Sequence, residues 1–290
     1  MEITQGTTTV NGVRFAYLEA GTGPLALCLH GFPDSAWGWR HQLPVLAEAG
    51  YHAVAPFQRG YAPTEVPADG RYQTAALALD ACALHEALGG DGDAVLIGHD
   101  WGAMATYAAA AWQPDLWRRV VTAAVPPANS VASGFLTYDQ LRRSWYMFFF
   151  QSPLAEMVVQ VDDLAFLDRL WADWSPGYDA TEDLAHVKDC LRDPANLAAA
   201  LGYYRATLGN GYQDPALADL QAAGSLPTPQ PTLYLHGMID GCMAANVGEG
   251  AEAFLPAEGS RVEFVSGAGH FLHLERPDQV NRLIVDFLGA

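Results

Sequence analysis

The sequence predicts an α/β protein, a mainly parallel sheet flanked by helices, with a helical segment inserted after the sixth strand. Three observations lead there. Continuous apolar runs at 24–31 and 93–100 read as strands buried on both faces. These runs alternate with helix-forming stretches, the order that builds a parallel sheet. The alternation stops at Pro126-Pro127 and resumes only at 231.

The elements follow in order. Residues 7–10 and 13–20 flank Asn11-Gly12, a pair that tolerates positive φ, and predict a hairpin. The run 24–31 is the third strand, a helical stretch covers 36–48, and 52–57 is the fourth strand. Helical spacing of Leu77, Leu79, Ala83, Leu84 and Leu88 marks a helix over 73–88. The fifth strand is 93–100, followed by an alanine-rich helix from Trp101 and a sixth strand at 118–126. Residues 128–226 carry Leu, Ala and aromatics at helical spacing and no convincing strand. A linker at 226–231 leads into a strand at 231–237, a helix near 244–254, a strand within 261–270 and a last helix from 277. The expected division is a core of 1–127 and 228–290 with a helical cap of 128–227.

Half of the 290 residues are hydrophobic, enough for a large packed interior. With 33 acidic and 15 basic residues the formal net charge is −18, which repels phosphate backbones and anionic lipid. Neither nucleic acid nor a membrane surface is therefore an expected partner; a homodimer is left open. No apolar stretch approaches the roughly 20 residues that span a bilayer, and no basic-then-apolar leader opens the sequence. Cys28, Cys82, Cys190 and Cys242 are scattered without a CxxC pair, which points to a reduced, cytoplasmic protein without a structural zinc site. No cofactor and no metal are expected; His99, His236 and His273 lack ligand-like spacing and read as structural, and so does His30.

The most informative residues are Gly98-His99-Asp100-Trp101-Gly102, where a buried strand turns into a helix. Glycines on either side of the central residue allow a tight elbow that pushes its side chain out over the sheet edge. Such elbows usually carry serine. Here the residue is Asp100, and the chemistry changes with it. A carboxylate attacks acyl carbon poorly but can displace a leaving group at sp³ carbon, leaving an ester on the enzyme. Strained epoxides and alkyl halides are the natural electrophiles. Hydrolysis of that ester then needs a base and oxyanion donors. The plain alternative is an aspartate that caps the helix.

In the fold marked by this elbow, an acid and then a histidine follow the nucleophile along the chain. Asp240 lies three residues beyond the 231–237 strand, and His270 follows the last strand. Asp240 is expected to hold the His270 tautomer, and His270 to activate water. Backbone N–H groups of Phe32 and Trp101 are the expected oxyanion donors.

These segments resemble the epoxide hydrolases of the α/β-hydrolase superfamily over nearly the whole chain. His30-Gly31-Phe32-Pro33, Gly98 to Gly102, and Gly269-His270 with the Leu274–Asn281 segment match the family's motifs. The resemblance implies an α/β-hydrolase fold, a helical cap, and two cap tyrosines that protonate the epoxide oxygen. Tyr146, five residues before Gln151, matches the first, and Tyr204 in Tyr203-Tyr204-Arg205 matches the second. A phenol with pKa about 10 is protonated at neutral pH and can donate to a developing alkoxide. Trp101, Trp145, Phe148 and Phe149 suggest a small apolar epoxide, taken with water as co-substrate. Two features depart from the family. Gln58 stands where many relatives have aspartate before Arg59-Gly60, and the cap is short.

Two other functions compete. A haloalkane or haloacetate dehalogenase shares the Asp-nucleophile machinery. Haloacetate enzymes, however, place arginine where Trp101 stands, and haloalkane enzymes usually place asparagine where Phe32 stands. A silent binding protein on the same fold usually lacks a member of the nucleophile–acid–histidine set, and all three are retained here.

Overall fold

The computed structural model describes residues 1–209 and 211–289. Strands β1 (Thr4–Val10) and β2 (Val13–Ala20) form the hairpin, with positive φ at both Asn11 and Gly12. The other strands are β3 (Leu25–Leu29), β4 (His52–Pro56), β5 (Val95–His99), β6 (Arg119–Ala123), β7 (Thr232–Gly237) and β8 (Arg261–Val265). They make one eight-stranded sheet in the order β1-β2-β4-β3-β5-β6-β7-β8. Strand β2 pairs antiparallel with both β1 and β4; β4, β3 and β5 to β8 run parallel to one another. Strands β3, β5 and β7 are buried at every position, the reason for their unbroken apolar runs.

Helices α1 (Leu43–Glu48), α2 (Thr74–Ala87) and α3 (Trp101–Trp112) follow β3, β4 and β5. Between β6 and β7 the chain is helical: α4 (Ala128–Gly134), α5 (Tyr138–Arg143), α6 (Trp145–Phe149), α7 (Ala155–Trp174), α8 (Thr181–Leu191), α9 (Pro194–Leu208) and α10 (Ala218–Ala223). The short α11 (Ala245–Gly248) and α12 (Leu272–Glu275) precede the last helix, α13 (Pro277–Gly289).

Two expected helices are broken. The stretch 36–48 splits into a 3₁₀ turn at Ala36–Trp39 and α1, because Pro44 has no N–H to continue a ladder and instead sits in the first turn of α1. The stretch 244–254 splits at Gly250, whose φ of 78° is left-handed, leaving α11 and a 3₁₀ turn at Ala251–Phe254. Helix α7 also carries a break, at Val161–Leu164, where Asp162, Asp163 and Leu164 all have positive φ. No glycine or proline announces it in the sequence.

The parallel strands all present their C-terminal ends on one side. The loops after β3, β5, β7 and β8 therefore converge there, and the helical segment passes over them. Helix α9 is launched by Asp193, whose side chain accepts from the Ala195 N–H at 2.8 Å, with Pro194 in the first turn. Its buried face carries Tyr203 and Tyr204 down onto the core, where the Tyr203 hydroxyl donates to the Arg59 carbonyl at 2.7 Å.

Candidate active site

Asp100 sits at the turn from β5 into α3 with φ 53° and ψ −118°, a conformation a non-glycine residue holds only under constraint. Its carbonyl starts α3, accepting from the N–H groups of Ala103 and Met104. Its side chain does not cap the helix. It turns instead toward the loop after β3, where Oδ1 accepts from the Phe32 N–H at 2.8 Å. Two glycines make this approach possible. A Cβ on Gly102 would collide with the Leu29 carbonyl, and one on Gly31 would collide with the Asp100 carboxylate. The sequence alternative of a helix-capping aspartate is thus replaced by a carboxylate held over the sheet edge.

His270, completely buried, faces it. Nε2 stands 3.6 Å from Asp100 Oδ2 and has no hydrogen-bond partner among the described residues, while Nδ1 donates to Asp240 Oδ2 at 2.9 Å. The other Asp240 oxygen accepts from the N–H groups of Cys242 (2.7 Å) and Met243 (2.9 Å). Burial alone disfavours a charged imidazole, but Asp240 and Asp100 outweigh it and raise the His270 pKa to about 10. Asp100, Asp240 and His270, spread over 170 residues of sequence, thus form one chain of groups at three strand ends.

The helical segment holds these loops in place. The Trp174 carbonyl, at the end of α7, accepts from both the Gly241 and His270 N–H groups at 3.0 Å. Arg143 donates to the Asp240 carbonyl at 2.8 Å. Ser175 donates to Glu275 at 2.6 Å and accepts from the Phe271 N–H, and Glu275 also accepts from the Gly269 N–H at 2.8 Å.

Tyr146 on α6 and Tyr204 on α9 are both buried, their rings edge-on at 5.6 Å. Tyr146 Oη lies 3.3 Å from Cys242 Sγ, and the Tyr204 hydroxyl has no partner among the described residues. Burial raises both phenol pKa values well above the ordinary value. The Cys242 thiol and Asp100 add to this for both, so both stay protonated at neutral pH. With Asp100 and Trp101 these tyrosines line one cavity of about 280 Å³ whose wall is mostly apolar.

Comparison with known proteins agrees. The sequence profile of the alpha/beta hydrolase fold family matches residues 24–277. Epoxide hydrolase A of Mycobacterium tuberculosis is 30% identical over 98% of this chain and 97% of its own length. The AB hydrolase superfamily protein YfhM of Bacillus subtilis is 30% identical over 96% and 95%. Among solved structures, an epoxide hydrolase from an endophytic Streptomyces superposes with a TM-score of 0.82 at 30% identity, covering 99% of this chain and 95% of that one. The chain belongs to the epoxide hydrolase family of the α/β-hydrolase fold.

Against that family's pattern, Gln58 has a visible structural part. Its N–H donates to His30 Nε2 at 3.0 Å and its side-chain amide to the His30 carbonyl, so it fixes a buried histidine rather than facing the cavity. Three of the expected substrate contacts are corrected. Trp145, Phe148 and Phe149 do not line the cavity. Helix α6 is five residues long, and it points Tyr146 and, one turn later, Phe150 inward. Trp145 and Phe148, on other faces, are about half exposed, and Phe149 packs on Phe150 and Phe166. Met147 and Met104 line the cavity in their place. Cys242 beside Tyr146 was also not foreseen, since no motif marks it. Donor atoms of Asp34, His99 and His273 converge within 4.8 Å in the buried interior. There burial lowers the His273 pKa to about 3 and raises that of Asp34 to about 7, disfavouring the charged form of each. No helix among the described residues is long and apolar enough to cross a membrane.

Proposed function

We propose that this protein hydrolyses epoxides to vicinal diols through an ester on Asp100, with residues 128–227 as a cap over a core of 1–127 and 228–290. The observation that carries the reading is the pairing of two protonated, buried phenols with a carboxylate across one apolar cavity. A carboxylate oxygen of Asp100 attacks an epoxide carbon and forms a C–O bond; the ring C–O bond breaks, and Tyr146 or Tyr204 gives its proton to the departing oxygen. The product of this step is a hydroxyalkyl ester.

The charge arrangement favours the second step. In the free enzyme Asp100 helps to hold the proton on His270. Esterification removes that negative charge, so the His270 pKa falls toward the range of a useful base. The proton it releases balances the phenolate left by ring opening. Neutral His270, oriented by Asp240, then takes a proton from water that attacks the ester carbonyl. Phe32 N–H, already on Asp100 Oδ1, and Trp101 N–H, at the first position of α3, are the proposed oxyanion donors. Collapse releases the diol and regenerates the carboxylate.

One observation favours a second reading. Trp101 Nε1 is buried without a hydrogen-bond partner among the described residues and its residue lines the cavity, where an indole N–H could hold a leaving halide. The test is a panel of epoxides and haloalkanes, with diol, alcohol and halide quantified and Asp100 examined for an ester by mass spectrometry. Diol from epoxides supports the proposal. Halide release without epoxide turnover transfers the assignment to dehalogenation.

A further inference from the structure

Besides Asp100, the cavity is lined by residues of α2, α3, α4, α6, α9 and α10 and of the loops after β6 and β7, and by none from the loops after β3 or β8 among the described residues. Along α3 its wall includes Met104 and Tyr107, one and two turns beyond the nucleophile, which sets a reach of about 10 Å at 1.5 Å per residue. Along α9 it continues from Tyr204 to Leu208, the next turn of the same face. The opposite side is closed by packed rings. Phe32 is edge-on to Phe150 and Tyr204 at 5.5 and 5.2 Å, and Trp174 lies 4.8 Å from Tyr146 and 5.1 Å from His270. Phe32, Phe150 and Trp174 are at most 2% exposed, and none of them lines the cavity. Interiors packed this way leave no space for an added methylene without displacement.

An epoxide held between Asp100 and the two phenols therefore has room for a substituent in one direction. We infer that the site selects epoxides carrying a single slender apolar arm, that is, terminal epoxides, and excludes those with chains on both ring carbons. The inference rests on the epoxide hydrolase reading for its chemistry but on the cavity alone for its shape. At about 280 Å³ the space falls just below the roughly 300–1,000 Å³ of pockets for drug-sized ligands, which fits an arm of modest length and no large ring system.

The test uses isomers of equal apolar content, so that only shape differs. Wild-type protein is given 1,2-epoxyoctane and trans-4,5-epoxyoctane, and separately its binding of octane-1,2-diol and octane-4,5-diol is measured by calorimetry. The expected result is a preference of at least about tenfold for the terminal isomer in both kcat/KM and Kd, the scale of a misplaced methylene or more. Diol affinities within about threefold of each other, no binding of either diol, or equal turnover of the two epoxides would overturn it. If neither epoxide reacts while the 1,2-diol still binds preferentially, the selection by shape stands and the reaction assigned above falls.

Discussion

The two halves of the site are built differently. On the core side, Asp100, His270 and Asp240 project from strand ends, and backbone N–H groups or neighbouring side chains hold most of their polar atoms. On the helical side, the Tyr146 hydroxyl reaches only the Cys242 thiol and the Tyr204 hydroxyl has no hydrogen-bond partner among the described residues. Charge is thus prearranged where a carboxylate must attack and an imidazole must turn over, while the proton donors are left uncommitted for a ligand. On the proposed mechanism, the contrast assigns the covalent chemistry to the core and the kind of leaving group to the helices above it. The two sides are not independent, since Trp174, Arg143 and Ser175 from the helical segment anchor the Asp240 and His270 loops.

The sharpest way to break this contrast is Asp100→Ala. If the core half carries the chemistry, kcat falls below about 1% of wild type with the circular dichroism spectrum intact. Retained turnover would place the nucleophile elsewhere. His270→Gln should separate the two steps within the core half. It should still form the ester but not release it, so mass spectrometry after mixing with substrate shows a stable adduct on the Asp100 peptide. An unmodified peptide in a variant that binds substrate counts against the assigned order.

Next in size is the helical half. Tyr146→Phe with Tyr204→Phe should slow single-turnover ester formation from an epoxide by about 10²–10⁴-fold, the usual worth of general acid catalysis. Each single variant should lose less, because one phenol remains. An unchanged alkylation rate would reduce both tyrosines to packing residues.

A smaller effect concerns pH and stability. Because the folded-state pKa of His270 is raised to about 10, its contribution is full below the unfolded value of about 6.5 and is lost as pH rises through 10. Urea unfolding of wild type should show stability declining over that window. Asp100→Asn removes one of the charges that raise this pKa, so its decline should be shallower. Parallel curves would mean that Asp100 and His270 are not coupled. The smallest expected effect tests the anchoring. Ser175→Ala removes a donor from buried Glu275 and should cost about 1–3 kcal/mol of stability. It should also lower kcat a few-fold, with KM nearly unchanged. An unaltered kcat would make the anchor purely structural.

How much could be read beforehand follows from which interactions are local. The buried strands, the Asn11-Gly12 hairpin and the elbow at Asp100 were legible because each depends on short-range rules: apolar runs, turn residues, and glycines beside a strained position. Asp240 and His270 were legible through chain order after particular strands, and the structure brings both to Asp100. The inward direction of Tyr146 and Phe150, by contrast, was not visible in the string 145–150, where all but Met147 are aromatic. On so short a helix only its seating against α9 and the core decides which face is inside, and this removed Trp145, Phe148 and Phe149 from the cavity. The break in α7 likewise has no local cause in its residues.

The sequence by itself therefore determined the architecture, the residue at the elbow and the partners that chain order assigns to it, because backbone stereochemistry and burial periodicity are written residue by residue. Tertiary structure alone decided the one-sided cavity, the uncommitted phenols, the thiol beside Tyr146 and the anchoring of two loops by one carbonyl of Trp174. Those depend on which side chains from distant segments fill the same space, and close packing settles that only when the whole chain is folded.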